Sequence, residues 1–144
     1  MSWNWTLTTA IVGATTGTYG AVVSTLGRRD VAWRRRAKQL PTLRPALEAL
    51  RDALAEVRQG NRTIRALQEV ALRAHLDELQ ERRPQLSDKV LSGHVTAVIN
   101  AYSTVIAAGD DSKDHRKAES IDRAVEAIKL ALERADEIER KAPA

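Results

Sequence analysis

The sequence contains no cysteine and no phenylalanine. The first absence excludes a disulfide framework, a thiol nucleophile and thiolate-held zinc or iron–sulfur sites. The second leaves three Trp and two Tyr as the only aromatic rings. Four prolines and seven glycines in 144 residues are too few for a collagenous or linker-like chain, and the 43% apolar share is that of a folded protein rather than a disordered one. Charge is missing in one place. Residues 1–27 hold no Lys, Arg, Asp or Glu.

What charge there is falls unevenly. Residues 28–83 carry a net of +6 and residues 84–144 a net of −2, so the basic character of the chain is made in its middle. Trp3, Trp5, Tyr19 and Trp33 lie near the start, and Tyr102 is the one aromatic residue beyond them. The excess of 17 Arg over 6 Lys, with 23 Ala, is consistent with a GC-rich bacterial genome or its phage.

Residues 5–26, WTLTTAIVGATTGTYGAVVSTL, are long enough to cross a membrane. As a helix they rise about 33 Å, against a hydrocarbon core of about 30 Å. Thr and Gly dilute their apolarity, and three further features support a span. Arg28, Arg29, Arg34, Arg35, Arg36 and Lys38 follow at once, opposed only by Asp30, as the positive-inside rule asks of a cytoplasmic flank. In a continuous helix Trp5 and Trp33 stand about 42 Å apart, so Trp3 and Trp5 on one side and Trp33 on the other suit the two aromatic belts. No cation precedes the stretch and no small-residue cleavage pattern follows a charged start, which favours a retained anchor over a removed signal. Small residues, among them Gly13, Gly17, Gly20 and Ser24, form one stripe of this helix. Such a stripe lets helices approach closely in lipid, where packing rather than hydrophobicity drives association.

The expected fold class is all-α, with an N-terminal transmembrane helix followed by a small helical bundle or coiled-coil-like helical hairpin. The expected division is a transmembrane segment over 1–27, a basic juxtamembrane helix and linker over 28–45, and a cytoplasmic helical domain over 46–144. The linker rests on Pro41 and Pro45, which bracket PTLRP. Beyond it, Leu47, Leu50, Leu54 and Val57 recur at helical spacing, and Ile64, Leu67, Leu72, Leu76 and Leu79 resume after Gly60. Ile64 lies seven beyond Val57, which favours one helix with a soft point at Gly60 over two joined by a tight turn. Ser87 or Asp88 suits the cap of a central helix ending at Gly109, and Asp110, Asp111 and Ser112 are read as opening the last helix.

Motifs for chemistry are lacking. His75, His94 and His115 stand apart with no HExxH pair, and Asp110, Ser112 and Asp114 mimic a calcium loop but for His115 at its glycine position and Ile121 at its bidentate acid position. No phosphate loop or GxSxG frame is present. The reading is therefore a non-enzyme without catalytic, metal or cofactor-binding residues: a single-pass, membrane-anchored interaction or scaffold protein, self-associating as a homo-oligomer. Its partners are the bilayer, anionic lipid headgroups and an unidentified protein. The alternative is a soluble helical protein binding nucleic acid through 28–38, disfavoured because Trp33 is the single aromatic there for base stacking.

Overall fold

In a computed structural model the described residues are 27–143, and all regular structure among them is helical. Residues 27–38 form α1. It is followed by α2 (Leu40–Arg58), a 3-10 helix (Arg65–Gln68), α3 (Val70–Arg82), a 3-10 turn (Arg83–Gln85), α4 (Lys89–Ala108) and α5 (Asp114–Lys141). The expected span over 5–26, with Trp3, Trp5, Gly13, Gly17, Gly20 and Ser24, lies outside the described residues.

Cross-links fix the directions of the helices. Arg44 near the start of α2 reaches Asp136 and Glu139 near the end of α5, while Arg58 at the end of α2 meets Asp122 near the start of α5. These two helices are therefore antiparallel. Asp88 before α4 meets Arg134 late in α5, so that pair is antiparallel too. The Ser92 hydroxyl, one turn into α4, donates to the carbonyl of Arg83, the first residue past α3. With α2 against α3 and α5, and α4 against α3 and α5, the arrangement is an up-down-up-down bundle with short connections.

Its core is Leu, Ile, Val and Ala with one ring, Tyr102, whose hydroxyl donates to the Leu67 carbonyl at 3.2 Å. Burial pushes that hydroxyl up to about 12, so it stays a protonated donor throughout the physiological range. α4 is the one described helix long and apolar enough to cross a membrane. It buries Leu91, Val95, Val98, Ile99, Tyr102 and Val105 among its neighbours, as the central helix of a bundle does.

The expected linker over 41–45 is helix. Pro41 stands in the first turn of α2, where its missing N–H costs no intrahelical bond, and Pro45 lies four residues on, also exposed. The hydrogen bond Pro45 forgoes is one to the Pro41 carbonyl on that exposed edge. Inward, Leu40, Leu43, Leu47, Leu50, Leu54 and Val57 are all buried. One core thus runs from Leu40 to Ile138, and Trp33 and Ala37 of α1 pack against it. The division at 45/46 falls inside a helix.

The expected continuous helix through Gly60 is two helices. Gly60 takes φ +80°, a left-handed conformation, and its N–H reaches back to the Val57 carbonyl. The heptad phase survives only because Ile64 and Leu67 are buried from a 3-10 turn instead. The last helix begins at Asp114, not at Asp110. Asp110 instead receives the N–H groups of Ile64 and Arg65, at 2.8 and 3.1 Å, and so caps the 3-10 helix from across the bundle. Those two bonds hold its carboxyl below the usual range.

Candidate functional site

The basic segment is where sequence and structure both concentrate charge. As helix α1 it has two faces, because positions 33, 36, 37 and 40 share one side of a helix and 28, 31, 35 and 38 the other. Trp33, Arg36, Ala37 and Leu40 are partly or fully buried against the bundle. Arg28, Arg29, Arg34, Arg35 and Lys38 are exposed, and Val31 among them is 63% exposed. The six cations expected to act together are therefore split five to one, with Arg36 turned inward.

α1 meets the last two turns of α5, where Arg134 and Lys141 lie beside Trp33. Arg36 stacks on the Trp33 ring at 4.5 Å from the centroid, Lys141 at 5.2 Å and Arg134 at 5.9 Å. A cation over an indole face gains roughly 0.5–1 kcal/mol at an exposed site. The tryptophan expected as a membrane-interface anchor lies half-buried against the bundle.

Three cations around one ring need counter-charge, and Asp88 and Glu137 provide it. Arg134 donates to Asp88 through Nε and Nη2 at 2.7 and 3.0 Å, and to Glu137 through Nη1 at 2.7 Å. Lys141 donates to Glu137 at 2.7 Å. The Arg134 hydrogen bonds hold the Asp88 carboxyl below its ordinary value despite burial, with help from the Leu91 N–H. Lys141 and Arg134 together pull Glu137 down to about 2. The same Asp88 is the N-cap of α4.

One turn later Gln39 ties the α1–α2 junction to the α3–α4 connection. Its Nε2 donates to the Gln85 carbonyl at 2.7 Å, and its Oε1 accepts from the N–H and hydroxyl of Ser87 at 3.0 and 3.2 Å. Nothing in local sequence marks this residue. Asp88 had a signal, its place before a helical stripe, but not its ion pair.

Of the histidines, His75 and His94 are half-buried and His115 is exposed, and no group of three His, Cys, Asp or Glu side chains suited to a metal occurs among the described residues. The chemical capacity of this region is electrostatic: a helix packed on the bundle through Trp33 and Ala37, with five cations left exposed. Comparison with protein-family models, curated proteins and solved structures finds no match to this chain.

Proposed function

We propose that this chain is a single-pass membrane-anchored interaction or scaffold protein, held by residues 5–26 with the N-terminus outside and the helical bundle in the cytoplasm. One observation carries the reading: an uncharged 22-residue stretch runs directly into a helix that leaves Arg28, Arg29, Arg34, Arg35 and Lys38 exposed. Cations in that place orient a span and attract anionic headgroups at about 1 kcal/mol each near the surface. The nucleic-acid alternative is left with charge alone, since the Trp33 ring is already stacked by the protein's own side chains.

Self-association through Gly13, Gly17, Gly20 and Ser24 belongs to the same reading. In this reading the domain serves as a helical module for a protein partner rather than as an enzyme. Carbonate extraction and membrane flotation of the full chain test the proposal. Retention in the membrane fraction is expected, and recovery of intact chain as soluble protein would overturn it.

A further inference from the structure

Where α1 meets α2, a cleft of about 110 Å³ opens between Lys38, Gln39 and Thr42 on one side and Arg82, Gln85 and Leu86 on the other. We propose that this cleft binds a single phosphate group, and that Lys38 and Arg82 are its charged ligands. The site does not rest on residues 5–26 crossing a bilayer.

Four features of the cleft point to an anion. Lys38 is exposed and forms no ion pair among the described residues, so its three N–H donors are available. Arg82 pairs with Glu78 only through Nε, at 2.9 Å, which leaves both terminal amino groups of the guanidinium open. Two carbonyls that would repel an anion are already occupied, since the Gln39 amide donates to Gln85 and the Thr42 hydroxyl donates to Gln39. The walls are held in place beforehand, by Gln39 bonding Ser87 and by Ser92 bonding the Arg83 carbonyl. Walls held in this way bring the two cations to an anion without reorganising the backbone between them.

Size sets the ligand class. Sites for drug-sized molecules begin at roughly 300 Å³, so this cleft takes one tetrahedral oxyanion rather than a nucleotide. Lys38 offers a point charge and Arg82 a planar fork, the two modes by which phosphate oxygens are held. The phosphate can come from a lipid headgroup or from solution, and Glu78 moderates the affinity by sharing Arg82.

The test uses the full chain in phosphatidylcholine nanodiscs with and without phosphatidylglycerol, and in zwitterionic detergent titrated with inorganic phosphate. The Gln39 side-chain amide and Arg82 Nε–H signals report binding by NMR. A saturable shift with inorganic phosphate supports a site for free phosphate, and a shift confined to phosphatidylglycerol discs supports a headgroup site. In either case Lys38→Ala and Arg82→Ala should each weaken binding about tenfold or more, as loss of a charge-assisted hydrogen bond implies. Glu78→Gln should tighten it. Arg116→Ala, which removes an exposed cation from α5, should leave it unchanged. No shift in any arm would overturn the proposal, as would affinity indifferent to Lys38→Ala or lowered equally by Arg116→Ala.

Discussion

Asp88 and Arg134 meet in a two-pronged ion pair, Nε to Oδ2 at 2.7 Å and Nη2 to Oδ1 at 3.0 Å, with 5% and 15% of their side chains exposed. The aspartate also accepts the Leu91 N–H, so one carboxylate both starts α4 and fastens it to α5. Truncating it leaves a largely buried guanidinium short of its partner. Asp88→Ala should therefore cost about 3 kcal/mol from the ion pair and about 1 kcal/mol from the cap. Replacing both, as Asp88→Asn with Arg134→Met, should cost less than the two single changes added together. Urea unfolding of the four proteins measures the difference, and strict additivity would show that the pair is not coupled.

Acid should weaken the fold through the same group. The folded Asp88 carboxyl lies below its unperturbed value of 3.8, and Glu137 falls from 4.5 to about 2. A depressed folded value means that the unfolded chain takes up protons first as pH falls. The stability from these groups is thus complete above about pH 5 and lost progressively on the way down to about pH 2. Stability measured against pH should show this acid limb in the native chain and a flatter one in Asp88→Asn.

The Trp33 ring joins α1 to the end of α5, and little else on α1 does so apart from Ala37 and Arg36. Trp33→Ala should release α1 without melting the bundle, at a cost of about 2 kcal/mol in buried apolar surface. Amide hydrogen exchange is the direct reading. Residues 33–38 should lose protection, while the amides of Val95 to Val105 in α4 keep theirs. Equal loss in both places would mean that α1 is part of one cooperative unit rather than a docked arm.

The helical class and the apolar stripes of α4 and α5 were legible because Leu, Ile and Val recur there at the helical period. The start of α2 was legible too, had the stripe been followed across the prolines: Trp33, Ala37, Leu40, Leu43 and Leu47 continue it without a break in phase. Two prolines suggest a linker because proline breaks helix interiors, but Pro41 occupies the first turn, and Pro45, inside the helix, forgoes a single bond on its exposed edge. Gly60 shows the reverse case, where unbroken phase hid a break in the backbone. Asp110, Gln39 and the Lys38–Arg82 cleft were not legible, since each joins residues distant in sequence. A capping residue announces a cap, but not which helix it will serve.

Membrane orientation gives the remaining prediction, and the two faces of α1 sharpen it. If exposed cations set topology, Arg28, Arg29, Arg34, Arg35 and Lys38 carry the effect and Arg36, held on Trp33, does not. Changing those five together to Gln should scramble the orientation, because the first 27 residues hold no charged side chain to compete. Arg36→Gln alone should leave orientation intact and instead raise exchange over residues 33–38. The chain lacks cysteine, so Ser2→Cys gives a unique label, and its reactivity towards an impermeant reagent in intact cells reports the side on which it lies. The native chain should label from outside, the five-fold variant on both sides, and the Arg36 variant like the native chain. Outside labelling unchanged by the five-fold change would show that these cations do not orient the chain, and would leave Lys38 with the cleft as its only role.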